Sequence, residues 1–166
     1  GGGMISQSIL FFLNSERQDI FILEKNLKKK FFITNTYPEV KVIKNLGQIK
    51  RNYFDYIYET TGSSKVIEKA YNSIKLSGKL LLIGVPNSKS KIKINTLEIN
   101  YGKKIIGSYG GGVTPGKDIK KIVLFLKQKG ADLKNLYEKI YDFKDINFVI
   151  KQLIAGKIIK KPILKL

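Results

Sequence analysis

Three glycines, Gly1-Gly2-Gly3, open the chain and run into Met4-Ile5-Ser6 and an apolar stretch. Gly1, Gly3 and Ser6 reproduce the spacing G-x-G-x-x-small. That spacing suits a turn that cradles a pyrophosphate. The first glycine allows the tight turn, the second removes a side chain where phosphate must approach backbone, and the small third residue lets a helix pack closely. A helix beginning near Met4 would aim its N–H groups and positive end at the phosphates. Glu24 follows about twenty residues later, at the end of the apolar run Ile20-Phe21-Ile22-Leu23. A carboxylate there can accept hydrogen bonds from ribose hydroxyls. It would repel a 2′-phosphate and so favour NAD over NADP, with the adjacent Lys25 softening that preference. The plainer alternative is a glycine linker ahead of an initiating Met4, with Glu24 an ordinary strand-end acid.

Other chemistries are closed to this composition. The 166 residues contain no cysteine and no histidine, which removes disulfides, thiolate or imidazole metal sites and any histidine base. No catalytic residue and no metal ligand is assigned. The net charge is +18, which would suit a nucleic acid or an anionic membrane. Nearly all of it is lysine, however, with Arg17 and Arg51 the two arginines, and the lysine clusters are short and scattered. Base-edge readers rely on the bidentate guanidinium. Solvated surface lysine is the favoured reading, with no specific nucleic acid and no membrane partner. No apolar run reaches the length of a membrane span, and Ile9–Leu13 is too short for a secretory signal, so a cytoplasmic location is expected.

The elements that would position these residues read in order. Met4 to Leu13 predicts a helix with Ile5, Ile9, Phe12 and Leu13 on its inner face, ended by Asn14-Ser15. Asp19 to Glu24 predicts a strand buried on both sides. Asn26 caps a helix to Ile33 with Leu27 and Phe31 inward. Val40 to Ile43 and Phe54 to Glu59 predict strands. Ser63 or Ser64 caps a helix that buries Val66, Ile67, Ala70, Tyr71 and Ile74. Glu68 would complete a capping box, and Ser77-Gly78 would stop the helix.

Leu80 to Gly84 and Lys104 to Tyr109 predict further strands, with a short helix or turn at Thr96 to Tyr101 between them. Thr114 or Pro115 introduces a helix to Lys129 with Ile119, Ile122, Val123 and Leu126 inward. Tyr137 to Tyr141 is a strand, Asp142 caps a helix over Lys144 to Ile154, and a strand containing Pro162 ends the chain. Alternation of strand and helix to about residue 109 implies a doubly wound parallel α/β sheet. Glu24, Thr60 and Gly84 then fall at the C-terminal ends of strands, where such sheets bind ligands.

Several stretches carry a family resemblance. Asp55-x-x-x-Glu59-x-Thr61-Gly62, Gly78-Lys79-Leu80-Leu81-Leu82-Ile83-Gly84 and Gly107-Ser108-Tyr109-Gly110-Gly111 resemble successive strand motifs of the zinc-type medium-chain alcohol dehydrogenase family. Asp118, Ile140 to Ile146, Gly156-Lys157 and Ile163-Leu164 follow in the family's order, so the resemblance covers nearly the whole chain. It implies a Rossmann-like sheet lacking its first strand over residues 1–112. Residues 113–166 would be an α+β appendage returning to a catalytic domain. It also implies that zinc belongs to that catalytic domain and that NAD is the cofactor. Gly1, Gly3, Met4 and Ile5 would meet pyrophosphate, Glu24 the ribose, and Thr60, Thr61 and Gly62 the adenosine side. Ile83, Gly84 and Val85 would pack near nicotinamide, Ser108 and Tyr109 would approach its carboxamide, and Lys160 or Lys161 would supply a cation for pyrophosphate.

The expected function is the NAD(H)-binding portion of an alcohol or polyol dehydrogenase, inactive alone, its small alcohol substrate bound mostly elsewhere. The alternative is a non-catalytic module that oligomerises or binds anions. Either would form a homo-oligomer through the 104–109 strand, an apolar sheet edge that invites pairing.

Overall fold

The computed structural model describes residues 1–13, 19–130 and 133–166. The expected end of the first helix at Asn14-Ser15 lies outside them. Among the described residues the α-helices and strands follow in the order α1 (Met4–Leu13), β1 (Phe21–Leu23), α2 (Leu27–Thr36), β2 (Lys41–Ile43), β3 (Phe54–Glu59), α3 (Ser64–Ser73), β4 (Ile74–Leu82), α4 (Leu97–Asn100), β5 (Lys104–Gly107), α5 (Pro115–Gln128), β6 (Tyr137–Asp142), α6 (Ile146–Ile154) and β7 (Lys161–Lys165). They form two packing units. The first comprises Gly1, 21–25 and 42–112; the second comprises 2–20, 26–41 and 113–166.

In the first unit, β3, β4 and β5 form a parallel sheet in that order. β3 carries Phe54, Tyr56, Ile57 and Tyr58, aromatic and β-branched residues of the kind that pack on a pleated surface. α3 lies on one face and buries Ile67, Ala70 and Tyr71 with Ile74 and Leu80, against which Ile57, Leu82 and Ile105 pack. β1 pairs with β2, and the Glu24 N–H closes that ladder on the Ile43 carbonyl at 3.1 Å.

The same unit buries a charge cluster that the sequence did not announce. The Lys103 Nζ donates to the Tyr71 carbonyl at 3.0 Å, pairs with Glu98 at 3.0 Å, and sits 4.8 Å from the Tyr71 ring centroid. Glu98 also takes Arg51 at 3.0 Å. A buried ammonium needs such compensation, because desolvating it unpaired is costly. The Tyr71 hydroxyl donates to the Asn95 carbonyl at 2.8 Å. Burial, reinforced by the Glu98 charge, raises the Tyr71 pKa above its ordinary 10.0.

In the second unit β6 and β7 pair in parallel, with Pro162 inside β7. α2 begins as expected, since the Asn26 side chain accepts the Lys29 N–H at 3.1 Å. The buried apolar residues of this unit include Leu10, Ile33, Tyr37, Val40, Val149 and Ile158.

Several expectations are corrected. α1 buries Ser6, Gln7 and Leu10, whereas Ile5 and Phe12 are exposed, so the helix is turned away from its most apolar face. α2 leaves Leu27 75% and Phe31 69% exposed and buries Ile33. α3 ends at Ser73, and β4 begins at Ile74 and runs through Ser77-Gly78 across a register shift. Ile74 itself is extended, so the strand takes over before the Ser-Gly signal is reached. Glu68 completes no capping box; its carboxylate accepts the Lys93 N–H at 2.8 Å instead. On α5, Ile119, Ile122 and Val123 are exposed, and of the expected inner face Leu126 alone is half-buried. β5 stops at Gly107, and Tyr109 to Gly112 turn with positive φ throughout.

Candidate functional site

The parallel sheet of the first unit ends in three loops at its C-terminal edge, and each follows from local sequence. β3 ends on Glu59, which is buried at the tip of an apolar strand. Its carboxylate accepts the Thr61 N–H at 2.7 Å and the Gly62 N–H at 3.0 Å, and the Thr61 hydroxyl also donates to it. These charge-assisted bonds fold Thr60-Thr61-Gly62 back over the strand end. Gly62 adopts φ +69°, a region that favours glycine.

The loop after β4 is fixed against the first. The N–H groups of Ile83 and Gly84 both donate to the Glu59 carbonyl, at 2.8 and 2.9 Å. Gly84 lies so close to Thr60-Thr61 that a Cβ there would stand 2.6 Å from the Thr61 nitrogen. A Cβ on Gly62 would likewise meet the Val85 carbonyl carbon at 2.7 Å. The Val85 side chain itself is 90% exposed. The third loop joins through the Ser108 N–H, which donates to the Leu82 carbonyl at 2.9 Å. Ser108 then takes the Gly111 N–H on its carbonyl at 2.7 Å. Tyr109, with φ +43°, turns its side chain to solvent.

Gly1 belongs to this group as well: a Cβ on it would stand 3.7 Å from Thr61 Cγ2. Glu24, half-buried, ends β1 in the same unit. Thr60, Thr61, Gly62, Ile83, Gly84 and Ser108 are thus gathered at one sheet edge, with Gly1 against the threonines.

The remaining candidates lie in the second unit. Met4 and Ile5 open α1, and no heavy atom lies within 4 Å of where a Cβ on Gly3 would stand, so its backbone can be approached closely. Ser6 is buried, as a small residue at a packing point should be. Gln7 is almost completely buried, and its Nε2 donates to the Gly2 carbonyl at 3.0 Å and to the Ile159 carbonyl at 2.9 Å. This bond ties the glycine loop to the residue preceding Lys160. The Lys160 Nζ stands 4.9 Å from the Phe32 ring centroid.

Sequence reasoning passed over two residues that organise this region. Glu59 was readable as an acid ending an apolar strand two places before Thr61-Gly62, a spacing that lets a carboxylate reach turn N–H groups. Gln7 carried no signal, since a glutamine inside an apolar helix reads as a surface position. Among the described residues, no group of three or more Asp and Glu side chains is placed to hold a metal ion.

Parallel strands whose C-terminal loops gather glycines and hydroxyl residues form an α/β sheet of the kind that binds ligands at its strand ends. No protein-family model matches the chain. It is 26% identical over 137 residues to alcohol dehydrogenase-like 5 of Arabidopsis thaliana, covering 79% of this chain and 35% of that protein. The benzyl alcohol dehydrogenase of Acinetobacter calcoaceticus superposes with a TM-score of 0.86 at 20% identity, over 100% of this chain and 48% of that one. The acetophenone reductase of Geotrichum candidum, solved in complex with NAD, superposes with a TM-score of 0.76 at 14% identity, over 99% and 46%. The chain is therefore related in sequence to the alcohol dehydrogenase-like proteins. Its fold is the Rossmann-type α/β fold found over about half the length of these dehydrogenase and reductase structures. It spans about a third of the length of the curated relatives it matches. None of these comparisons supports the alternative of a non-catalytic module.

Proposed function

We propose that this chain is the NAD(H)-binding portion of an alcohol or polyol dehydrogenase. The observation that carries the proposal is the mutual approach of the loops after β3 and β4. Glu59 holds the first, and Gly62 and Gly84 bring the second against it. In this reading Gly1, Gly3, Met4 and Ile5 offer backbone to the pyrophosphate, with Lys160 supplying a positive charge. Glu24 takes the ribose hydroxyls, and Thr60, Thr61 and Gly62 flank the adenosine side. Ile83, Gly84 and Val85 pack by the nicotinamide, and Ser108 and Tyr109 face its carboxamide.

The cofactor itself supplies or accepts the hydride. The chain's contribution is to orient it and exclude water. The glycine-only contacts at Gly62 and Gly84 fit a ligand lying close along main chain. The domain reading is a cofactor domain over 1–112 followed by a segment, 113–166, that serves a separate catalytic part holding the zinc and most of the alcohol-binding pocket. A cytoplasmic location is part of this proposal. β5 is the edge of its sheet with Ile106 exposed, and it is the proposed pairing strand of a homo-oligomer.

Calorimetric titration of the chain with NADH tests the cofactor proposal. Saturable heat with one nucleotide per chain is expected, and absence of heat from the folded chain would refute it. Sedimentation of wild type and Ile106→Lys tests the edge: a wild-type dimer converted to monomer is expected, and identical behaviour of the two would refute it.

A further inference from the structure

The β3-β4-β5 sheet has a second face that the cofactor reading does not use. α3 covers the face carrying Ile57, Leu80 and Ile105. Strand alternation sends Tyr56, Tyr58, Lys79, Leu81, Lys104 and Ile106 to the opposite side. The ladder aligns them in two rows: Tyr56 beside Lys79 beside Lys104, and Tyr58 beside Leu81 beside Ile106. Tyr56 is 53% and Tyr58 39% exposed, and the Lys79 Nζ stands 5.3 Å from the Tyr56 ring centroid.

Two features of this face point to a ligand. Lys79 and Lys104 are like charges directly across a ladder, a repulsion that an anion lying over both would relieve. Neither pairs with a carboxylate among the described residues. The two tyrosines are separated by two residues of strand, about 7 Å, a distance that consecutive unstacked bases can span. Aromatic rings spaced along a strand and flanked by lysines form a stacking platform for single strands. A duplex keeps its bases inside and cannot use the rings. Arginine is absent from the face, so binding would be tolerant of sequence. RNA is the abundant single-stranded polyanion of a cell.

We propose that this open face binds single-stranded RNA, with bases stacked on Tyr56 and Tyr58 and phosphates on Lys79 and Lys104. The test is fluorescence anisotropy of the whole chain with a labelled oligouridine of about 15 nucleotides, beside an RNA duplex of equal length, over a salt series. Oligouridine should bind more tightly than duplex. Tyr56→Ala with Tyr58→Ala should weaken it roughly tenfold or more, and Tyr56→Phe with Tyr58→Phe should retain it. Lys79→Gln with Lys104→Gln should lower the salt slope by about 1.4. Equal affinity for duplex, or a salt slope unchanged by the lysine pair, would overturn the proposal, and so would full affinity in a folded alanine pair.

Discussion

A Cβ on Gly84 would stand 2.6 Å from the amide nitrogen of Thr61, a separation real Cβ atoms do not adopt. The turns that close β3 and β4 therefore meet backbone to backbone, and only glycine permits it. Gly84→Ala must push the two loops apart. Overpacking of this kind costs about 3 kcal/mol. Thermal unfolding should show that loss, and nucleotide affinity should fall with it, whereas Gly107→Ala, which meets nothing within 4 Å, should leave stability nearly unchanged.

Glu59 is a buried acid with an identifiable task. Its carboxylate satisfies the N–H groups of Thr61 and Gly62. Glu59→Ala leaves those donors without a partner beside a cavity and should destabilise the chain by about 3 kcal/mol. Amide exchange at Gly62 should accelerate by a larger factor than exchange in β6, because the loss is local to the loop. Equal acceleration in both would assign Glu59 a global role instead.

Tyr71 gives the fold an alkaline limit. Burial and the Glu98 charge raise its folded pKa above the ordinary 10.0. The sign follows from proton counts: above about pH 10 the unfolded chain releases the phenolic proton while the folded chain keeps it, so stability falls as pH rises. The contribution is complete below the unfolded value and disappears as pH climbs through the raised one. Tyr71→Phe should lose about 1 kcal/mol at neutral pH with its bond to the Asn95 carbonyl. It should also show a shallower decline as pH rises above the ordinary 10.0 in denaturant titrations.

Glu24 sets the nucleotide preference in the proposed function. Wild type should favour NADH over NADPH, and Glu24→Ala should narrow the ratio roughly tenfold, the effect of removing about 1.4 kcal/mol of repulsion. Parallel titrations with both nucleotides measure it directly.

The parts of the structure visible in the sequence are those set by local chemistry. β3 occupies the span that its aromatic, β-branched run predicts, and α2 starts at the asparagine that can cap it. What escaped depends on tertiary placement. α1 carries its apolar residues where a helix would ordinarily bury them, yet the buried face is Ser6, Gln7 and Leu10. Ile119 and Phe31 sit at inward positions of amphipathic helices but remain exposed, since periodicity shows that a face is apolar and not what covers it. No composition shift marked the sorting of 2–20 and 26–41 with the C-terminal segment. In the candidate site the glycines were legible as positions, but their reason, the crowding at Gly84, exists only in the folded chain. Glu59 was quoted within a motif without its role, because that role requires the turn to be seen.

The central claim is that the loops at the strand ends hold a dinucleotide. Amide chemical shifts of the isotopically labelled chain, recorded as NADH is added, test it most directly. Progressive, saturable shifts at Gly3, Glu24, Thr61, Gly62, Gly84 and Ser108, with β6 and α6 unmoved, are the predicted result. A folded chain whose spectrum does not change with NADH, or changes only away from these residues, would contradict it.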